Sequence, residues 1–126
     1  MYKILLVEDE VVLRETLAEI LEFHDFEVKV TESGENALDI LNIFTPDLIL
    51  SDVMMPRMTG FELISIVREI PELVNIPFIF LSALAGNEEK TEGLNLGACN
   101  FITKPFRSVD LIAIVKNNLN SKININ

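Results

Sequence analysis

Short apolar runs alternate along the chain with stretches whose apolar residues recur at helical spacing. Residues 4–7, 48–50 and 78–81 are continuous apolar runs, which are typical of strands in the middle of a parallel sheet. Residues 27–30 alternate polar and valine, and residues 101–102 form only a short apolar run. These two segments are therefore predicted to be the edge strands.

A predicted helix follows each of these five strands. The fourth, over residues 87–96, is the weakest prediction because it is mostly polar and contains Gly93. The apolar positions of the other four are Leu13, Leu17, Ile20 and Leu21; Ala37, Leu38, Leu41 and Phe44; Leu63, Val67 and Ile70; and Leu111, Ile114, Val115 and Leu119.

This alternation predicts an α/β fold in which helices cover both faces of a doubly wound, five-stranded parallel sheet. Placing strands two and five at the edges gives the flavodoxin-like order 2-1-3-4-5. The chain has 126 residues, of which 49% are hydrophobic, and a single domain usually has about 100–150 residues. We predict one domain over residues 1–120 and a polar C-terminal tail over residues 121–126.

Charge and cysteine content exclude several classes of function. Lys and Arg total 10 against 20 Asp and Glu, a net charge of −10, so direct binding to nucleic acid is not expected. Cys99 is the only cysteine, which excludes an internal disulfide and a cysteine cluster for zinc. We expect Cys99 to be buried or half-buried.

The chain carries no pattern that indicates a membrane. Its first residues lack the pattern of a signal peptide, and no apolar stretch approaches the roughly 20 residues that span a bilayer. We expect a cytoplasmic protein without membrane contacts.

Acidic residues follow two strands that should be neighbours. Glu8, Asp9 and Glu10 come directly after strand one, and Asp52 comes after strand three. In the predicted order, ligands bind at the carboxyl ends of these strands, which lie roughly 4.8 Å apart. Crowded carboxylates repel each other unless a cation intervenes, and oxygen ligands suit Mg²⁺. The alternative is that these acids only cap helices.

Two further strand ends add groups that bind phosphoryl oxygens. Ser82 ends strand four, and Lys104 ends strand five, so the same edge of the sheet should carry a hydroxyl and an ammonium group. Aspartate is a known covalent acceptor, and a cation and a lysine would offset charge on a transferred phosphoryl group. The combination indicates phosphoryl transfer.

Four segments resemble the receiver domain of two-component response regulators over about residues 2–120. They are residues 4–10, residues 47–56 with Met58 and Gly60, residues 81–83, and residues 101–106. The resemblance implies that Asp52 accepts a phosphoryl group from a histidine kinase or a histidine phosphotransfer protein. It also implies that the domain then switches a partner-binding surface formed by helix four, strand five and helix five.

The resemblance also implies how a metal ion is held. Glu8 and Asp9 correspond to the acidic pair that positions Mg²⁺, and Mn²⁺ is the alternative ion. Asp52 and the backbone carbonyl of Met54 complete the set of protein ligands, and Glu10 is the less favoured ligand.

Four other residues take family roles by the same resemblance. Lys104 corresponds to the lysine that pairs with the phosphate, and its bond to Pro105 is expected to be cis. Ser82 and Phe101 correspond to the switch pair, in which the hydroxyl turns toward the phosphoryl group and the ring moves inward.

Two positions that modulate hydrolysis of the acyl phosphate in the family are occupied here by Met54 and Leu84. Neither side chain can hydrogen-bond an attacking water molecule. We therefore predict slow self-dephosphorylation. The protein would catalyse only its own phosphorylation and slow dephosphorylation, and would not be a turnover enzyme.

Three rival functions fit the sequence less well. A phosphatase of the haloacid dehalogenase type needs Asp-x-Asp after strand one, and a flavin carrier needs a phosphate-binding loop there instead of an acidic run. A receiver-shaped module that is never phosphorylated is disfavoured by the intact set of Asp52, Ser82 and Lys104.

The predicted last helix lies near the end of the chain, so we expect a stand-alone regulator that acts on a downstream protein target. The alternative is a receiver excised from a larger regulator with an output domain, or from a hybrid kinase. A phosphorylation-dependent homodimer is also considered.

Overall fold

The computed structural model describes residues 1–83 and 86–123, the last three of these by their backbone alone. The strands are β1 (Lys3–Val7), β2 (Glu27–Thr31), β3 (Leu48–Ser51), β4 (Phe78–Ser82) and β5 (Asn100–Thr103). The helices are α1 (Val11–Phe23), α2 (Gly34–Leu41), α3 (Gly60–Val67), α4 (Asn87–Asn95) and α5 (Ser108–Ile123). A short 3-10 turn, Pro71–Leu73, precedes β4.

The five strands form one parallel sheet in the order β2-β1-β3-β4-β5. This confirms the predicted fold and strand order. The physical reason is that β1, β3 and β4 are apolar at nearly every position and are buried along most of their length. Strands of this kind are stable only where helices cover both faces of the sheet.

Alternate residues of each central strand belong to two separate cores. Ile4 and Leu6 pack on one face with residues of α1 and α5, whereas Leu5 and Val7 pack on the other face with residues of α2 and α3. Side chains of a strand point alternately to opposite faces, so the continuous apolar run of β1 serves both cores at once.

The edge strand β2 is more exposed than its alternating pattern suggests. Val28 is only partly buried, and 44% of the surface of Val30 is exposed. The strand pairs with β1 alone, and its carboxyl end is anchored by the buried Thr31. One apolar face at a sheet edge is therefore not enough to bury both valines.

Gly93 in α4 has a packing reason that its sequence context did not reveal. The glycine is buried, and a Cβ atom on it would lie 3.1 Å from the Phe80 ring and 3.2 Å from the Phe101 ring. The glycine allows the helix backbone to approach β4 and β5 closely. The feature that made α4 a weak prediction is thus what lets the helix pack.

The exposure of Cys99 and the end of α5 are two further features that the sequence predictions did not give. Cys99 is exposed, so the expectation that it would be buried or half-buried was wrong. The last helix, α5, continues to Ile123, into the segment predicted as a polar tail. Within the part of the chain that the structure describes, no helix is long and apolar enough to cross a bilayer.

Candidate functional site

The parallel register of β1 and β3 brings the acidic residues together. Val7 pairs with Ser51 at the ends of these strands, so the residues that follow them are neighbours. Carboxylate oxygens of Glu8, Asp9 and Asp52 lie within 4.8 Å of one another. This cluster could hold a metal ion.

Glu10, the third acid of the run, has a different task. Its carboxylate accepts a hydrogen bond of 2.9 Å from the backbone N–H of Leu13 and caps the start of α1. The helix-capping interpretation of the acidic run is therefore right for Glu10. The carboxylates of Glu8 and Asp9 are directed to the cluster instead.

Lys104 is the cation that faces this cluster. Its ammonium group lies 3.3 Å from Oε1 of Glu8 and 3.2 Å from Oδ2 of Asp52, and 20% of its side chain is exposed. The backbone N–H of Lys104 donates to the carbonyl of Ser82, which ties the end of β5 to the end of β4. The bond between Lys104 and Pro105 is cis, as expected.

The backbone around Asp52 is fixed on several sides. Its N–H donates to the carbonyl of Val7 at 3.0 Å, and its Oδ1 accepts from the N–H of Val53 at 2.7 Å. The Ser51 hydroxyl donates to the Asp52 carbonyl at 2.8 Å. A Cβ atom on Gly60 would overlap the same carbonyl oxygen, so only glycine fits at the start of α3.

The site carries more negative charge than Lys104 can balance. Burial, reinforced by the charge of Asp52, raises the pKa of Glu8 from 4.5 to about 7, although the N–H of Glu10 and the ammonium of Lys104 act in the opposite direction. Glu8 is almost completely buried, with 1% of its surface exposed. Three clustered carboxylates, two of them in contact with one ammonium group, leave negative charge that a hard divalent cation can offset.

Ser82 and Phe101 lie on the neighbouring strands β4 and β5. Ser82 is buried at the end of β4 and pairs with Thr103. The half-buried Phe101 pairs with Phe80, and their ring centroids are 5.9 Å apart. A displacement of the Phe101 ring would therefore change its packing against the core that contains Leu5 and Val7, and against Gly93 of α4.

The two residues predicted to slow hydrolysis are only partly visible. Met54 follows Asp52 by two residues in the chain, and 60% of its surface is exposed. A polar side chain could therefore be accommodated there. Leu84, the other position of this prediction, lies outside the described residues.

Sequence analysis missed Arg14. Its guanidinium donates to the backbone carbonyls of Glu8 and Asp9, so it belongs to the surroundings of the acidic cluster. The available signal was its position: an arginine near the N-terminus of α1, where the helix dipole disfavours a cation, directly after an acidic run.

The comparisons with known proteins agree with this geometry. A family model described as the response regulator receiver domain matches residues 4–116. The probable transcriptional regulator ycf29 of Porphyra purpurea is 35% identical over 116 residues, which are 92% of this chain and 56% of that protein. The cell cycle response regulator CtrA of Brucella ovis is 35% identical over 111 residues, 88% of this chain and 47% of that protein. The chain spans about half the length of these curated relatives.

Solved structures of similar sequence have the same fold. The signal receiver domain of a signal transduction histidine kinase from Syntrophus aciditrophicus matches with a TM-score of 0.91 and 36% identity, over 100% of this chain and 96% of that chain. The chemotaxis response regulator CheY4 of Vibrio cholerae matches with a TM-score of 0.89 and 32% identity, over 94% of this chain and 98% of that chain.

Receiver domains of this kind are signalling modules of two-component systems rather than classical enzymes, and they interact with histidine kinases and downstream targets. The family match covers most of the chain, and the fold and the acidic cluster agree with it. This chain belongs to the response regulator receiver domain family.

Proposed function

We propose that the protein accepts a phosphoryl group on Asp52 in a Mg²⁺-dependent reaction, with Mn²⁺ as the alternative ion, and so changes its affinity for a partner. One observation carries the proposal: the Asp52 carboxylate contacts Lys104 and lies in a cluster with the carboxylates of Glu8 and Asp9. A nucleophile, a cation and a metal-binding set thus share one small region.

Each residue has a distinct part in this chemistry. A carboxylate oxygen of Asp52 attacks the phosphorus of the donor, and the bond from phosphorus to the donor nitrogen or oxygen breaks with its electron pair leaving on the donor. Lys104 offsets the negative charge on the phosphoryl oxygens. Glu8, Asp9, Asp52 and the backbone carbonyl of Met54 would hold the divalent ion, which would supply further neutralisation of charge.

The switch is proposed to run through Ser82 and Phe101. The Ser82 hydroxyl turns to bind a phosphoryl oxygen, and the Phe101 ring moves inward toward the space that the hydroxyl leaves. Because the Phe101 ring also lies next to Gly93, its movement would reposition α4 against β5. The surface of α4, β5 and α5 then presents a different shape to a downstream target, an output domain or a second copy of the chain.

The donor is proposed to be a histidine kinase or a histidine phosphotransfer protein in the cytoplasm. The domain itself is proposed to take in residues 1–120. Two contexts stay open as proposals, a stand-alone regulator and a receiver within a longer regulator or hybrid kinase. The apparent mass of the native protein in a cell extract, detected with an antibody, distinguishes them.

Slow resetting is proposed from the side chain at position 54. Met54 offers no hydrogen bond to a water molecule that approaches the acyl phosphate, although it is exposed enough for a polar replacement. We expect Met54→Asn to shorten the lifetime of the phosphorylated form, measured as phosphate loss after the donor is removed. An unchanged or longer lifetime in that variant, or a wild-type lifetime of seconds, would contradict this proposal.

The central proposal is tested by incubation with acetyl phosphate and Mg²⁺, followed by intact mass measurement. The wild-type protein should gain one phosphoryl group. Asp52→Asn should gain none, whereas the matched control Asp39→Asn, which changes an exposed aspartate of α2, should gain one like the wild type. No gain in the wild-type protein, or a gain retained by Asp52→Asn, would overturn the proposal.

A further inference from the structure

Arg14 connects the first helix to the loop that carries the acidic pair. It lies in the early part of α1 and is half-buried. One nitrogen of its guanidinium group donates to the backbone carbonyl of Glu8 at 2.8 Å and lies 3.4 Å from the carbonyl of Asp9. The second bond is at the long end of the hydrogen-bond range, so the Glu8 contact is the stronger one.

These two carbonyls belong to the residues whose side chains form the acidic cluster with Asp52. Two backbone N–H groups of the same loop are also hydrogen-bonded. The N–H of Glu8 donates to the carbonyl of Thr31 on β2 at 3.0 Å, and the N–H of Glu10 donates to Oε2 of Glu8 at 3.2 Å. Both of these bonds use N–H groups of the loop, whereas the guanidinium of Arg14 binds the carbonyls of Glu8 and Asp9.

We propose that Arg14 is a positioning residue, which fixes the peptide groups of Glu8 and Asp9 so that their carboxylates meet Asp52 in the geometry that binds a divalent cation. This inference rests on the metal site of the proposed function. A residue of this kind acts through the ligands and touches neither the ion nor the phosphoryl group. Partners of metal ligands in other proteins change metal affinity about 10–100-fold when they are removed.

Charge alone predicts the opposite effect. A guanidinium group near a metal site repels the incoming cation, so removal of its charge should strengthen Mg²⁺ binding if Arg14 acts only through space. Positioning predicts weaker binding when the hydrogen bonds to the carbonyls are lost. The sign of the change in Mg²⁺ affinity therefore separates the two explanations.

Two substitutions of Arg14 exploit this difference. Arg14→Gln removes the charge and shortens the side chain, and we expect it to weaken Mg²⁺ binding about tenfold, at the low end of the range for such partners. Arg14→Lys keeps the charge and one compact donor group for the carbonyl of Glu8. It should lose less affinity than Arg14→Gln.

Arg68 offers a matched control on the other side of the molecule. Its guanidinium also donates to backbone carbonyls, those of Leu73, Ile76 and Gly97, at 3.3, 2.8 and 2.8 Å. These residues are outside the acidic cluster. Arg68→Gln should lower stability through the same kind of lost hydrogen bonds, yet leave the Mg²⁺ affinity of the folded protein unchanged.

The experiment is an isothermal titration of the unphosphorylated protein with Mg²⁺, carried out well below the unfolding temperature of every variant. Weaker binding by Arg14→Gln, partial recovery in Arg14→Lys and wild-type binding by Arg68→Gln would support the inference. Equal or tighter binding by Arg14→Gln, or an equal loss in Arg68→Gln, would overturn it while the metal site stands. If the wild-type protein binds no Mg²⁺, the metal proposal fails and this inference fails with it.

Discussion

Two helices that follow neighbouring strands of the site, α3 after β3 and α4 after β4, are built in different ways. α3 begins with a capping box, in which the Thr59 hydroxyl accepts from the N–H of Glu62 and the Glu62 carboxylate accepts from the N–H of Thr59. It then buries four of its eight residues. These are Gly60, Leu63, Ile64 and Val67.

α4 has neither feature. It begins after Gly86, which has no side chain that could accept a hydrogen bond from the first N–H groups. Of its nine residues, the buried one is Gly93, and Leu94 is 49% exposed. Elements with few buried apolar contacts open most easily. The helix after the proposed acceptor is thus held by a capping box and four buried residues, whereas α4 is expected to open more easily.

The largest effect expected from this difference is on a leucine of α3 compared with a leucine of α4. Leu63 of α3 is fully buried, so Leu63→Ala should lower the free energy of unfolding by about 4 kcal/mol. Leu94→Ala in α4 should change it by less than about 0.5 kcal/mol, as for other exposed positions. Urea unfolding at fixed pH measures both, and similar losses in the two variants would show that α4 is packed as firmly as α3.

The pH dependence of stability tests the repulsion between the buried carboxylates of Glu8 and Asp52. The pKa of Glu8 is about 7 in the folded protein and 4.5 ordinarily, so between these values the folded state binds more protons than the unfolded state. In the metal-free protein this group contributes up to about 3 kcal/mol of stability below pH 4.5. That contribution is lost as the pH rises to 7 and is absent above it.

Urea unfolding in EDTA across pH 4.5 to 8 measures this contribution. The variant Glu8→Gln should lack that decline, because it cannot lose a proton. Saturating Mg²⁺ should stabilise the wild-type protein more at pH 8 than at pH 5, since a metal ligand must be deprotonated. A wild-type profile identical to that of Glu8→Gln would mean that Glu8 is ionised normally.

Replacement of a glycine by alanine in each of the two helices gives a sharper comparison, with a smaller expected loss of stability. In Gly60→Ala the new methyl group would overlap the carbonyl oxygen of Asp52, so we expect a loss of about 2 kcal/mol. In Gly93→Ala the nearest atoms are ring carbons at 3.1 to 3.3 Å. Those rings must move by a few tenths of an ångström, which costs stability. The replacement of glycine by alanine inside a helix stabilises the helix by about 1 kcal/mol, which offsets part of that cost.

The net change for Gly93→Ala should therefore be smaller than for Gly60→Ala, and thermal unfolding of the two variants measures the difference. Phosphorylation by acetyl phosphate provides a second measure, because the new methyl group of Gly60→Ala, unlike that of Gly93→Ala, would meet the backbone of Asp52. A larger loss of stability in Gly93→Ala would mean that α4 is fixed against Phe80 and Phe101, contrary to the comparison.

The order of the strands and the position of the acidic cluster could be predicted because each depends on a simple property of the sequence. The length and apolarity of residues 4–7 place them in the middle of a parallel sheet, and the strand-end rule then places Glu8 beside Asp52. Both statements need only the position of a residue along an element.

Contacts made by side chains across the structure could not be predicted in this way. The exposure of Cys99 depends on how a loop lies on the surface, and the value of Gly93 depends on rings from two other strands. The reach of Arg14 to the loop carbonyls depends on the direction in which its side chain leaves α1. None of these is encoded in local spacing.

Hydrogen exchange measured by mass spectrometry, with acetyl phosphate and Mg²⁺ present, tests most directly the claim that Asp52 is the input of a switch. Relative to the same protein without acetyl phosphate, we predict that exchange changes in peptides that cover α4 and β5 and stays the same in peptides that cover α3. In Asp52→Asn, we predict that acetyl phosphate changes the exchange of no peptide. An unchanged α4 in the phosphorylated wild-type protein, or the same change in Asp52→Asn, would contradict the account.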